Sequence, residues 1–255
     1  MRICAVIPAA GRGSRLGLTG PKLLAPIRGT DTVWTLLSQK LHGVADHIHI
    51  IAAPAGRIAI QKAVQSTARS VIAKPYTAPS TSISVQPQPI GMGDAIFRGY
   101  TVWSRAEIIV IVWGDQVHVS EYTLRRATEL HKGVPRRIVL PLVELAKPYV
   151  AYRFDKAKRL IAVLQSREGD ICPAYGFSDV GTFVISTQGL AAAWSAYCTR
   201  QSLGKRTQEV NFLPFLVFLA RCGWDVVTFE VADPVEARGI NTLEDLMFFQ
   251  NLYRG

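Results

Sequence analysis

Residues Ile108-Ile109-Val110-Ile111-Val112 are five β-branched apolar side chains in a row, with no polar residue among them. A strand of that composition has no face to offer water, so it belongs at the centre of a sheet covered on both sides. The rest of the chain is patterned to supply such a sheet. Short β-rich runs at 3–7, 47–52, 83–86, 108–113, 138–142, 150–154, 160–164, 182–185 and 226–231 alternate with helical spacing over 32–41, 57–66, 94–102, 121–131, 190–197, 212–222 and 243–252. This alternation predicts an α/β fold with a mixed, mainly parallel central sheet flanked by helices. The denser strand content between 138 and 185 marks the mixed portion. At 255 residues and 49% hydrophobic content the chain can bury one sizeable core, and no repeat, low-complexity tract or linker divides it. A single domain over 1–255 is expected.

The first strand ends in a loop rich in glycine and positive charge, Pro8-Ala9-Ala10-Gly11-Arg12-Gly13-Ser14-Arg15, followed by Pro21-Lys22-Leu23-Leu24. Glycines two apart let backbone N–H groups close on a phosphate chain, and Arg12, Arg15 and Lys22 surround it with positive charge. A P-loop is excluded, because it needs four residues between its glycines and a Gly-Lys-Ser/Thr ending. A Rossmann dinucleotide turn, as in an NAD(P) oxidoreductase, fits Gly11, Gly13 and Gly17 loosely, with Asp31 at a suitable distance. That turn needs a long helix after the glycines, whereas Gly17, Gly20 and Pro21 break any helix there. Asp31 is explained more simply as the N-cap of helix 32–41. A structural glycine turn beside a surface lysine is the plain alternative.

The formal net charge of +10 attracts polyphosphates of any kind. The densest basic pairs, Arg125-Arg126, Arg136-Arg137 and Lys205-Arg206, are dispersed, and no basic tail or nucleic-acid motif accompanies them. Small anionic substrates are expected, and nucleic acid is not. No apolar stretch reaches the length of a membrane span and the N-terminus lacks a secretory pattern, so a soluble, cytoplasmic protein without a membrane partner is expected. Cys4, Cys172, Cys198 and Cys222 show no paired spacing, which points to neither a zinc site nor a disulfide framework. The sequence is compatible with a homo-oligomer.

Two further constellations carry polar chemistry. In Val85-Gln86-Pro87-Gln88-Pro89-Ile90-Gly91-Met92-Gly93-Asp94, the Gln86 amide offers a donor and an acceptor, which can pair with the imide edge of uracil or thymine. Gly91 allows close backbone approach to a base. In isolation the same string reads as a proline-rich turn. Asp94 is read as the N-cap of helix 94–102. After the central strand comes Gly114-Asp115-Gln116. A carboxylate at the carboxyl end of such a strand points into the crevice where open α/β sheets bind ligands. Asp115 is therefore a candidate ligand for Mg²⁺, which favours hard oxygens shared between one or two carboxylates and substrate phosphates. A Gly-Asp turn is also common for backbone reasons alone. Val117 occupies the second acidic place of an Asp-x-Asp pattern, which argues against sugar transfer from a nucleotide donor.

Ala9 to Arg15 together with Pro21-Lys22-Leu23-Leu24-Ala25-Pro26-Ile27 closely resemble the signature of the sugar-1-phosphate nucleotidylyltransferases. That family couples a sugar phosphate to a nucleoside triphosphate and releases pyrophosphate. The resemblance continues in order along nearly the whole chain. The segment from Gln86 to Gly91 resembles the base-binding segment of uridylyl- and thymidylyltransferases, and Asp115 the metal-binding aspartate. Val235 to Leu246 resembles the uridylyltransferase segment whose asparagine is the second metal ligand.

The resemblance implies a Rossmann-like GT-A nucleotidyltransferase fold, with residues 1–120 handling the nucleotide and 121–255 the acceptor. It implies that Ala9, Ala10, Gly11, Arg12, Gly13, Gln86 and Gly91 bind a nucleoside triphosphate, UTP or dTTP for preference. Arg15, Lys22 and Asp115 would carry catalysis, Arg15 on the triphosphate and Lys22 on the attacked phosphate and the acceptor's phosphate. Asp115 and Asn241 would hold Mg²⁺, although position alone makes Asn241 the N-cap of helix 243–252. Gln165 and Arg167 stand where relatives place a glutamate and a lysine, and Asp179-Val180-Gly181 where they place an Asn-Thr-Gly strand. Gln165, Arg167 and Asp179 are thus the acceptor candidates, in a site that has changed, since Val180 cannot make the asparagine's sugar contact. The resemblance covers no acyltransferase extension, so a bifunctional form is not expected. A cytidylyl- or guanylyltransferase of the same fold and a non-catalytic nucleotide-binding regulator are the competing readings.

Overall fold

The run Ile108–Val112 is a strand, and all five side chains are at 0% exposure. Its alternate residues enter two separate cores. Ile108, Val110 and Val112 face one cluster, and Ile109 and Ile111 the other. The strand is buried on both faces, as its composition requires.

The computed structural model describes residues 1–11, 13, 16, 17, 20–71, 79–200 and 203–254. The strands are β1 Ile3–Ala9, β2 Pro26–Arg28, β3 Asp31–Thr32, β4 His47–Ala52, β5 Ser80–Val85, β6 Ile108–Val112, β7 Arg137–Ala146, β8 Val150–Phe154, β9 Leu160–Gln165, β10 Tyr175–Asp179, β11 Thr182–Ser186 and β12 Asp225–Glu230. The helices are α1 Val33–Leu41, α2 Arg57–Val71, α3 Met92–Arg98, α4 Tyr100–Trp103, α5 Glu121–His131, α6 Leu190–Cys198, α7 Leu213–Arg221 and α8 Leu243–Leu252. One mixed sheet runs in the order β5-β4-β1-β6-β11-β7-β10-β8-β9, with β12 pairing β7 along its other edge. Strands β5, β4, β1 and β6 are mutually parallel. The antiparallel pairs of this sheet begin where β11 joins β6 and continue to β9; apart from β6, their strands make up the predicted mixed portion.

Helices α1, α2, α5 and α8 cover one face, through residues such as Trp34, Ile60, Leu124 and Phe249. The second face is covered by α3, α4, α6 and α7, through Ile96, Trp103, Leu190 and Phe215. No helix among the described residues is long and apolar enough to cross a membrane.

Local detail departs from the sequence reading in ways that have physical causes. Thr32 caps α1, not Asp31: its hydroxyl accepts from the Thr35 N–H, and the Thr35 hydroxyl accepts from the Thr32 N–H in return. Asp31 lies in β3 and pairs with Arg28 at 3.2 Å. Gly91 caps the helix that was assigned to Asp94. Asp94 sits in the first turn, where it accepts from Gln86 Nε2 at 2.8 Å and Arg98 Nε at 2.6 Å. The single helix predicted over 94–102 is two, α3 and α4, joined at Gly99. A Cβ at Gly99 would lie 2.7 Å from the His49 ring, so packing against β4 requires glycine at this junction. Strand β10 was not predicted at all. It and β11 are almost continuous, separated by Val180 and by Gly181 at φ +71°.

Candidate active site

Parallel strands that end together leave their loops at one edge, and three of those loops line a single cleft. Pro8 and Ala9 close β1, Gln86 follows β5, and Trp113-Gly114-Asp115 follows β6. Gly114 permits the crowding, since a Cβ there would lie 3.0 Å from the Pro8 carbonyl oxygen and 3.1 Å from the Ala9 side chain.

Ala9, Ala10, Gly11 and Gly13 all line this cleft. Gly13 adopts φ +61°, and its carbonyl accepts from the Leu16 N–H at 2.9 Å in a tight turn. That left-handed conformation favours glycine strongly. Arg12 and Arg15 lie outside the described residues.

Lys22 opens a short 3-10 turn whose next residue, Leu23, is buried in the core, so the turn presents Lys22 to the cleft while Leu23 anchors it. Its ammonium donates to Asn241 Oδ1 at 3.0 Å and approaches Asp115 Oδ2 at 3.5 Å. The loop from Gly239 to Asn241 is stitched to Asp115 by the Ile240 N–H, which donates to the Asp115 carbonyl at 3.0 Å. Gly239 matters here because a Cβ would lie 3.2 Å from Asp115 Oδ1. Asn241 is not the cap of α8. Thr242 is, and the Asn241 backbone N–H instead donates to Asp245 Oδ2 at 2.9 Å. Its side chain is left to face Lys22.

Burial pushes the Asp115 carboxyl above the ordinary range, against the opposing pull of the Lys22 ammonium beside it. The carboxylate and the Asn241 amide oxygen thus already share one cation. Both are hard oxygen donors, so the pair fits Mg²⁺ provided that substrate oxygens complete the shell. Among the described residues no group of three or more His, Cys, Asp or Glu could hold a metal without such help.

The base and acceptor candidates are arranged less simply. Gln86 and Gly91 both line the cleft, but Gln86 Nε2 is committed to the Gly91 carbonyl at 2.9 Å and to Asp94. Its Oε1 receives no hydrogen bond from a described residue. Gly91 has φ +129°, and a Cβ there would lie 2.5 Å from the Val210 carbonyl oxygen. Close approach of the 203–211 segment therefore requires glycine at this position. Of the acceptor candidates, only Arg167 reaches the cleft. Gln165 is buried away from it. Asp179 is also buried outside it, with Oδ2 accepting from the Tyr152 hydroxyl at 3.0 Å and Oδ1 from the Gly181 N–H at 2.8 Å. It fastens the kink between β10 and β11. Val180 packs in a small apolar cluster with Val143 and Val231, so its lack of a polar group has no bearing on the cleft.

Trp113 and Glu209 line the cleft without having been singled out. Trp113 closes the apolar run of β6 and reads as its last core residue. Glu209 has no local signal, because it is brought in by a neighbour, Glu168. Burial opposes ionisation of Glu168, but the Thr207 hydroxyl, the Asn211 amide and the N–H groups of Arg206 and Thr207 outweigh it and bring its pKa down to about 2. Glu168→Ala is expected to destabilise the protein by about 1–3 kcal/mol, because it strands several donors at once. Since the pKa falls on folding, the contribution of Glu168 is complete above the ordinary carboxylate range and is lost as pH drops toward 2. Urea unfolding of both proteins at pH 7 and pH 3 checks this: the gap should narrow at the lower pH.

The sequence matches the model of the MobA-like NTP transferase domain over residues 5–180. The bifunctional protein GlmU of Aquifex aeolicus is 25% identical over 98% of this chain and 53% of its own length. The chain therefore spans about half the length of the curated relatives it matches. A UDP-glucose pyrophosphorylase solved with UDP-glucose superposes with a TM-score of 0.76 at 16% identity, covering 100% of this chain and 99% of that one. A putative glucose-1-phosphate thymidylyltransferase from Bacillus anthracis gives the same TM-score and identity, over 99% and 95% of the two chains. The domain match covers well over half of the chain, and the chain belongs to the MobA-like NTP transferase family of nucleotidylyltransferases.

Proposed function

We propose that this protein transfers a nucleotidyl group from UTP or dTTP to a phosphorylated, sugar-like acceptor and releases pyrophosphate. The observation that carries this reading is the position of the Lys22 ammonium between Asp115 and Asn241, beside the glycine loop. In the reaction an acceptor phosphate oxygen attacks the α-phosphorus. One P–O bond forms, the bond to the β-phosphate's bridging oxygen breaks, and pyrophosphate leaves with that oxygen. Both reactants are anions and repel each other, so alignment and neutralisation supply most of the rate enhancement.

Lys22 places positive charge where the two anions meet, and the backbones of Gly11 and Gly13 receive the nucleotide. Asp115 and Asn241 would hold Mg²⁺, which when bound neutralises charge on the phosphate oxygens. No side chain needs to act as a covalent nucleophile. On the base side, Gln86 has only Oε1 left, so it accepts a ring N–H. Uracil and thymine carry one at that edge and cytosine does not, which supports UTP or dTTP over CTP.

Gln86→Leu is accordingly expected to raise the KM for UTP by about tenfold, the scale of one well-placed hydrogen bond, and to change kcat little. Steady-state kinetics with saturating acceptor check it, and an unchanged KM removes Gln86 from base recognition. The reading as a whole is tested by a pyrophosphate-release screen of UTP, dTTP, CTP and GTP against sugar 1-phosphates and other phosphorylated alcohols. Release with UTP or dTTP is expected. Release with CTP or GTP alone would favour the cytidylyl- or guanylyltransferase reading, and tight nucleotide binding without release would favour a regulator.

A further inference from the structure

The acceptor end of the cleft is built by a segment that carries no motif. Residues 203–211, between α6 and α7, are fastened at two places. On one side the Glu168 side chain, 5% exposed, accepts from the Thr207 hydroxyl at 2.6 Å, the Asn211 amide at 2.9 Å and the Arg206 N–H at 3.0 Å. On the other, the Val210 N–H donates to the Ile90 carbonyl at 2.8 Å and the Gly93 N–H donates to the Val210 carbonyl at 3.2 Å. Between these anchors Glu209 enters the cleft. Its Oε2 accepts from Arg167 Nη2, which also donates to Asn211 Oδ1 at 3.1 Å. Oε1 of Glu209 and Nη1 of Arg167 have no hydrogen-bond partner among the described residues.

We infer that Glu209, oriented by Arg167, determines acceptor specificity by accepting hydrogen bonds from the hydroxyl groups of a polyhydroxylated phosphate ester. The inference rests on the nucleotidyl-transfer reading and adds the residue that recognises the acceptor. Arg167 pairs with Glu209 and also lies 3.4 Å from the Glu168 carboxylate, so no surplus positive charge is left at this end of the cleft and a second anion is not favoured there. What the pair presents is an acceptor oxygen beside N–H donors. Hydroxyl groups, which both donate and accept, match that pattern, and a hydrogen bond to an ionised partner is the stronger kind.

Calorimetric titration with two probe pairs, UDP against UDP-glucose and CDP against CDP-ribitol, tests this. Wild-type protein is expected to bind the polyol-bearing member of at least one pair about tenfold more tightly than the bare nucleotide. Glu209→Gln should abolish that gain and leave nucleotide affinity unchanged. If Glu209→Gln also loses nucleotide binding, Glu209→Asp decides, since it keeps the charge and shortens the reach. It too should lose most of the gain. The inference is overturned if the variant that still binds nucleotide keeps the full gain, or if wild-type protein binds UDP or CDP and gains nothing from either polyol. Failure of the wild type to bind any nucleoside di- or triphosphate is a different result and removes the nucleotidyl-transfer reading itself.

Discussion

Lys22→Met should lower kcat by about a hundred- to a thousand-fold while leaving the fold intact, and should raise the affinity of the nucleotide-free protein for Mn²⁺ several-fold. The first effect follows from charge. Attack at the α-phosphorus brings two anions together, and a preorganised cation at that point is worth what one transition-state donor is usually worth. The second follows from occupancy. The ammonium lies 3.0 Å from Asn241 Oδ1 and 3.5 Å from Asp115 Oδ2, the two oxygens that a divalent cation would use, so lysine and metal compete for them when no phosphate draws the lysine away. Methionine keeps the length of the stem, which packs beside Gly13, where a Cβ would lie 3.2 Å from Lys22 Cγ. Manganese titration followed by paramagnetic resonance, alongside single-turnover kinetics, separates the two effects. Turnover within a few fold of wild type would refute the catalytic role. Weaker manganese binding would mean that the lysine props the ligands in place and does not compete with the metal.

What the sequence disclosed depended on whether the signal was local. Strand β6 declares itself because five β-branched residues leave no alternative, and the bounds of β4, β8, α5 and α8 follow from periodicity within each segment. Strand β10 does the opposite. Tyr175 and Phe177 point outward at 70% and 38% exposure while Ser178 and Asp179 are buried, so its alternation is inverted and pairing with β7 and β8 makes it a strand. Glycine at the junction of α3 and α4 likewise has a tertiary reason, since the His49 ring lies against it. The same division runs through the cleft. Asp115 was legible from its place at the carboxyl end of the central strand, whereas Lys22 and Asn241 were marked by the resemblance of their segments, since position alone makes Asn241 a helix cap. Asp179 was legible as a carboxylate but not as one already satisfied by Tyr152 and Gly181. Glu209 was invisible, since its reach depends on the hydrogen bonds of Glu168 and on Val210 pairing with Ile90, neither of which leaves a periodic trace.

Asp115→Asn should remove Mg²⁺-dependent turnover by about a thousand-fold or more and yet give a protein no less stable than wild type at pH 7 in the presence of a chelator. A carboxyl whose pKa rises on folding costs stability at any pH above its unfolded value, because the ionised form is held in a place that disfavours it. Burial raises Asp115 in this way, with Asp245 adding to the rise and Lys22 only partly offsetting it. The amide carries no such penalty, and Asn241 Oδ1 remains to accept from the Lys22 ammonium. Activity and stability are therefore expected to separate at this residue, as they do where a site is kept strained for its chemistry. Thermal unfolding in chelator and pyrophosphate release across a magnesium series provide the check. A midpoint several degrees below wild type would show that the Lys22 pair stabilises the fold and that Asp115 serves structure first. Retained magnesium-dependent release would remove the carboxylate from the chemistry altogether, and with it the reason for a half-buried acid at the end of the central strand.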